Sequence, residues 1–344
     1  MPPSPTRRTV LAVGAAALGS LALSACGIRL EDDAPRIPLI PERRPIPGEA
    51  FLVELWRSSG ELATQATALG GGRTSLPARL AAIHHNQSAV LHAELMRLGV
   101  PQSVLDKAVK QATSTSSASA TASGTGGGAT SGPATGATTG ATTGPTRPAS
   151  PQEGLLGLAA AEAEDVGTAA FAGAASLPAS AEPLAASALA QRAAAAALLG
   201  APIAVPTPTW RGKSLAASFL DTTRSAVYGF EVVAAQSPDG AQRTLAVATM
   251  AQLQARAQTQ KLLAADAATP PALAYPLPFH VTTPSAARRL AVSVLTELRA
   301  ALARDLGSAG HDAEPLGSVV HWLGDTEVVA SRWGLALSPF PGLS

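Results

Sequence analysis

The chain has one cysteine, few aromatic side chains and no excess of either charge. A lone thiol, Cys26, excludes an internal disulfide, so packing and hydrogen bonds alone must hold the fold. Lys and Arg number 25 against 24 Asp and Glu, for a net charge of +1, and no basic face with interleaved aromatics occurs. That balance excludes nucleic acid as a partner. Aromatics are only 3% of 344 residues. Strands draw on aromatic and β-branched residues, whereas alanine, abundant here, is the best helix former, so an all-α fold is expected. There is no Gly-x-Ser-x-Gly elbow, no Gly-x-x-x-x-Gly-Lys and no Cys-x-x-Cys, which leaves a hydrolase, a phosphate loop and a dithiol centre without support. Gly126-Gly127-Gly128 sits in low-complexity sequence and is no phosphate loop.

The N-terminus carries the most specific signal present. Arg7 and Arg8 precede an apolar, small-residue run from Val10 to Leu23, and Leu23, Ser24 and Ala25 lead into Cys26. The run is about fourteen residues, too short at about 1.5 Å per residue to cross roughly 30 Å of hydrocarbon. Residues 1–25 therefore read as an export signal, and the small residues before the cysteine resemble the bacterial lipobox, in which that cysteine is acylated. The segment Thr6-Arg7-Arg8-Thr9-Val10-Leu11 resembles a twin-arginine leader, with Val10 where Phe or Leu is usual, so the export route stays open between the two systems. The expectation is a protein tethered to the outer face of the cell membrane through lipid on Cys26.

Segment order follows from punctuation and periodicity. Pro35, Pro38, Pro41, Pro45 and Pro47 make residues 26–48 an extended tether. Helical spacing then predicts helices from Glu49 to Leu69 and from Pro77 to Leu98, the second stopped by Gly99 and Pro101. Residues 113–150 are almost wholly Ser, Thr, Ala, Gly and Pro and are expected to be disordered, either a plain flexible loop or an O-glycosylated stalk. Helical pattern resumes over Leu155 to Ala169 and Leu184 to Leu198, and Ala201 to Gly212 reads as a linker. The second half repeats the plan with helices from Ser214 to Ala235 and Ala241 to Ala265, then one opened by Thr283-Pro284 and one from Glu314 to Ala336. In both halves the long link falls between the second and third helices, as a ferritin-like crossover requires. The expected architecture is two tandem four-helix bundles, 49–200 and 213–344.

Three short runs carry a family resemblance: Ala226-Val227-Tyr228-Gly229-Phe230, then Tyr275-Pro276-Leu277-Pro278-Phe279 with Val281-Thr282, and Phe340-Pro341-Gly342-Leu343. Over about residues 212–344 the chain resembles an actinobacterial family of ferritin-like domains, often exported or lipid-anchored, of unassigned function. The resemblance implies a four-helix bundle in the envelope and no particular reaction. Members of the family often place an acid and a histidine just before the Ala-Val-Tyr run; this chain has Thr223 and Arg224 there. Its next helix offers Gln252, Gln258 and Gln260 and no acid before Asp266, so the second bundle lacks a recognisable set of metal ligands.

In the first bundle, stripe alignment places His84 and Gln87 between Leu80 and Leu91, Glu162 between Leu158 and Val166, and Gln191 between Ala188 and Ala195. One layer of the core should then hold all four. They form either a hydrogen-bonded buried layer or a degenerate or mononuclear metal site with His84 or His85 and Glu162 as ligands and Asp165 as a further candidate. His280 reads as a loop residue, His311 as part of a turn, and His321 beside Trp322 as packing. The leading function is a non-catalytic binding or scaffold role toward an unidentified envelope protein, with no cofactor. The rival is a metal-binding or redox ferritin-like enzyme seated in the first bundle.

Overall fold

A computed structural model describes residues 43–111, 150–204 and 208–343. The expected export signal (1–25), the expected lipidation site Cys26, the expected tether as far as residue 42 and residues 112–149 lie outside the described residues, as do 205–207 and Ser344. Among the described residues every regular element is helical, as the alanine-rich composition dictates, and no strand occurs.

Ten α-helices follow one another among those residues: α1 (Glu49–Ala68), α2 (Leu76–Arg97), α3 (102–111), α4 (Pro151–Glu164), α5 (Thr168–Ala175), α6 (Glu182–Leu198), α7 (Lys213–Gln236), α8 (Ala241–Ala264), α9 (Pro284–Arg304) and α10 (Ala313–Arg332). Their starts are set chemically. Ser75 accepts from Ala78 N at 3.3 Å, and Ser150 and Glu153 form a reciprocal capping box ahead of α4. Thr283 caps α9 by accepting from Ala286 N at 3.1 Å, with Pro284 in the first turn as its sequence predicts. Two expectations need correction. The single helix expected over 155–169 is two, because Asp165 to Gly167 leave helical geometry and α5 starts afresh at Thr168. Past Pro101, where only a stop was expected, α3 forms and buries Leu105.

In the first half, α1, α2, α4 and α6 make a quartet. Leu62, Ala66, Leu80, Ile83, Leu158 and Ala195 form one apolar layer. One turn onward lie Ser58 and Ser59 on α1, His84 on α2, Glu162 on α4 and Gln191 on α6, all buried. Numbers rise along α2 and α4 and fall along α1 and α6 between these layers, so α2 and α4 run parallel and their neighbours antiparallel. The second half is a quartet of α7 to α10. Here α7 packs on α8 and α9, and α9 packs on α10. Arg256 on α8 donates to Thr326 Oγ1 at 2.8 Å, and Trp333, just past α10, donates to Thr249 on α8 at 3.1 Å. Those contacts fix α8 and α10 as antiparallel.

The two quartets pack directly on one another. The described residues from Pro45 onward form one compact unit, and one buried cluster runs through both halves. The seam is α6 against α10, each buried on nearly every face. A helix apolar all round belongs inside a protein, and the alanine run of α6 is such a helix. Small residues permit the close approach: a Cβ added at Gly324 would lie 2.9 Å from Ala190 O, and one at Gly317 would lie 2.6 Å from the Phe171 ring. The linker 201–212 is also docked at its end. Trp210 is buried, donates to Ser318 Oγ at 3.1 Å, and packs on Phe219 and Trp322.

Beyond α10 the chain turns back over the first quartet. Leu337 packs on the Leu62–Leu80 layer, Ser187 donates to Pro341 O at 2.8 Å, and Glu327 accepts from Ser338 N at 2.6 Å. Gly342, at φ 78°, lies where a Cβ would be 2.3 Å from Ala303 and 2.5 Å from Arg299 O. No other residue type fits there.

Candidate functional site

The polar layer inside the first quartet is assembled by helical spacing: Gln87 follows His84 by one turn on α2, and Asp165 follows Glu162 by one turn at the end of α4. His84 Nε2 lies 2.6 Å from Glu162 Oε1, and its Nδ1 lies 2.9 Å from Gln87 Oε1. The orientation of the Gln87 amide is set by its own donation to Pro339 O at 2.7 Å. The carbonyl oxygen of Gln87 therefore faces the imidazole, which must donate from Nδ1. A single proton then lies between His84 Nε2 and Glu162 Oε1, and both ring nitrogens are engaged. His84 and Glu162 are fully buried.

Beside this pair, fully buried Arg192 reaches from α6 to the end of α4 and to α1. It donates through Nη1 to Asp165, and through Nη2 to Leu55 O at 3.1 Å and to Ser58 and Ser59 Oγ at 2.9 Å each. Burial pushes the guanidinium below its usual value, while Asp165 and then Glu162 hold it up. Glu162 Oε2, Arg192 Nε and both polar atoms of the Gln191 amide have no partner among the described residues.

The sequence-derived candidates are thus sorted by the structure. His84, Gln87 and Glu162 meet directly, and Gln191 is buried in their layer. Asp165 serves Arg192 as counter-ion, and His85 lies on the exposed face of α2, outside the layer. Among the described residues, no group of three or more His, Cys, Asp or Glu side chains is placed to hold a metal ion. In the second quartet Thr223 and Gln260 are buried without partners among those residues, and Arg256 and Glu327 are tied to Thr326 and Arg299. His280 is a surface loop residue, His311 donates from Nδ1 to Ala175 O at 2.8 Å, and His321 meets Phe171 edge-on at 5.5 Å. Arg192 was missed by motif reading, although it is the only charge in the run Leu184–Leu199 and so announces a buried counter-ion.

A second feature lies on the surface of the second quartet. A groove of about 610 Å³ runs between α7, α9 and the 275–278 segment of the link. Ala226, Gly229, Val294, Leu298 and Ala301 line it with small and apolar surface, and Asp221, Glu297 and Arg304 supply charge. Tyr275 donates to Asp221 Oδ1 at 3.1 Å and lies 6.0 Å, ring to ring, from Tyr228. A Cβ on Gly229 would meet Val294 at 2.7 Å, so the glycine allows α7 and α9 to approach. The runs around Tyr228, Tyr275 and Phe340 are accordingly packing signatures of this quartet.

Residues 215–344 match the sequence family described as a domain of unknown function (DUF4439). No curated protein and no solved structure matches the chain.

Proposed function

We propose that this protein is an envelope lipoprotein, acylated at Cys26 and held at the extracytoplasmic face of the membrane, whose helical body has a non-catalytic binding or scaffold role. The observation that carries the non-catalytic reading is the state of the buried layer. Both nitrogens of His84 are hydrogen-bonded within the protein, and Arg192 is clamped by α1 and α4. These groups connect helices whose alanine side chains interlock too little to fix register. The ferritin-like assignment of each quartet is supported by the connectivity, a short hairpin, a long link and a second hairpin, which carries the chain between parallel helices in the first half. Membrane attachment by lipid is consistent with helices of which none, among the described residues, is long and apolar enough to cross a bilayer. A second acyl chain makes such attachment stable where one is marginal.

Two measurements test the reading. The full chain expressed in a bacterium with lipoprotein processing should partition into detergent and take up labelled fatty acid, and Cys26→Ser should lose both properties. Equal partitioning of the two would reject the anchor. Elemental analysis of the purified chain should find no stoichiometric metal. Iron, manganese or zinc bound one per chain and lost in Glu162→Ala would replace the binding role with metal chemistry.

A further inference from the structure

We propose that the last turn of α8 and the uncharged segment 269–274 rest on the bilayer that holds the lipid anchor, with the Leu262 and Leu273 side chains among the lipid chains. The inference deepens the envelope-lipoprotein reading above and rests on it.

Two leucines stand apart in exposure. Leu273 is fully exposed and Leu262 is 81% exposed, whereas Leu156, the next large apolar side chain among the described residues, stands at 57%. The two share a neighbour. Lys261 and Leu273 line one shallow depression on α7 and α8, and Leu262 follows Lys261 in α8. Around Leu273 every residue from Thr269 to Ala274 is exposed, and the nearest Asp, Glu, Lys or Arg in sequence are Asp266 and Arg288. An uncharged projection that carries bare leucines gains from burial and nothing from water. Nearby acids are engaged or distant: Asp266 pairs with Lys213, Asp221 accepts from Tyr275, and Glu231 lies two turns beyond Arg224 along α7. Arg224 donates to Thr269 O at 2.7 Å, and among the described residues neither it nor Lys261 is paired with a carboxylate. Both are available to lipid phosphates.

The occupant follows from where the chain enters the body. Ile46 packs on the core, and a Cβ on Gly48 would lie 2.7 Å from Leu177 and Ser176, in the turn between α5 and α6. That turn meets the start of α10, where His311 donates to Ala175 O and lies 3.6 Å from Glu182. On the first turns of α10, Glu314 accepts from Thr209 and Ser318 accepts from Trp210, just ahead of α7. Lys213 opens α7 and pairs with Asp266 at 2.8 Å, four residues past Leu262. These contacts place the entry of the chain and the leucines at one end of the body. From Cys26 to Pro45 is about 19 residues, and a flexible chain of that length spans about 25 Å r.m.s. and at most about 60 Å. Acylation at Cys26 thus keeps this end beside the bilayer, and a contact too weak for a free protein becomes effective at the high local concentration of a tethered one.

The test is fluorescence quenching of the full acylated chain in vesicles of phosphatidylcholine and phosphatidylglycerol that contain doxyl-labelled lipid. Acylation consumes the single native thiol, so Leu262→Cys, Leu273→Cys and Leu156→Cys each offer one site for a nitrobenzoxadiazole label. Leu156 is the control, an exposed leucine at the far end, where Gly154 of α4 meets Leu69. Labels at 262 and 273 should be quenched at least twofold, and the label at 156 should be unaffected. A label on Lys261→Cys should be quenched likewise and lose its quenching when Leu262→Ser and Leu273→Ser are added, which separates insertion by the leucines from insertion by the dye. The substituted side chains are exposed, so an unchanged melting midpoint confirms the fold. Equal quenching at all positions, or none at 262 and 273 in chains that float with the vesicles, overturns the placement and leaves the anchor standing. Chains that do not float reject the anchor and this placement with it.

Discussion

The two quartets solve one problem by different chemistry. The first is built from alanine-rich helices, and its register is fixed by buried polar clamps that join α1, α2, α4, α6 and the C-terminal tail through His84, Gln87, Glu162 and Arg192. The second is fixed by shape. Trp210, Phe219 and Trp322 meet within 5.8 Å of one another, ring to ring, and Phe230 packs on Trp333 at 5.7 Å. A methyl group interlocks poorly with its neighbours, whereas an indole or phenyl ring accepts few arrangements. Where aromatics are scarce, directional bonds take over the specifying role.

That contrast gives a ranked set of substitutions, read as shifts in the chemical-denaturation midpoint at constant slope. Arg192→Ala should be the most damaging, costing about 3–5 kcal/mol, because it strands Asp165 and leaves a cavity among α1, α4 and α6. Arg192→Met combined with Asp165→Leu should recover most of that loss, since apolar groups of like volume often replace a buried ion pair without penalty. A double variant as unstable as Arg192→Ala would show that the clamp is no ordinary ion pair. In the second quartet Trp322→Ala should cost about 3–5 kcal/mol by cavity formation, and no polar substitution nearby should restore it.

Gly324→Ala tests whether the quartets are one cooperative unit. The new Cβ would meet Ala190 O at 2.9 Å and Ala193 Cβ at 3.1 Å, so α6 and α10 must separate by a few tenths of an ångström. The expected cost is about 1–3 kcal/mol. Fluorescence of the tryptophans in the second half and amide exchange in α1 and α2 should shift together. Transitions that separate, with only one half affected, would show two independently unfolding bundles.

The sequence made the buried layer legible and hid the seam, and the reasons are physical. His84, Glu162 and Gln191 sit on apolar stripes at fixed helical phase, so their convergence is a matter of counting. The union of α6 with α10 is carried by Ala190, Ala193 and Gly324, and that of α5 with α10 by Gly317 under the Phe171 ring; their smallness says only that something could come close. Gly317 and Gly324, seven residues apart on one face of α10, were the available signal. The closure of the layer by Pro339 O was invisible, because a backbone carbonyl 252 residues from its donor leaves no trace in side-chain pattern. The end of α4 at Asp165 had a local cue in Gly167, outweighed by the surrounding alanines.

The smallest expected effect concerns acid and again separates the halves. His321 lies on α10 in the seam, edge-on to Phe171 of α5, and burial lowers its pKa from 6.5 while Asp325 opposes the change. A histidine whose folded pKa is depressed binds fewer protons folded than unfolded within the window below 6.5, so stability should fall as pH drops through it and be complete above it. Every tenfold loss of proton affinity on folding corresponds to about 1.4 kcal/mol, felt in full only below both the folded and the unfolded pKa. His321→Asn, which cannot take up a proton, should flatten the stability profile between about pH 5 and 7. If instead the slope persists in that variant and vanishes in His311→Asn, the acid sensitivity belongs to the exposed turn before α10, and the seam is indifferent to pH.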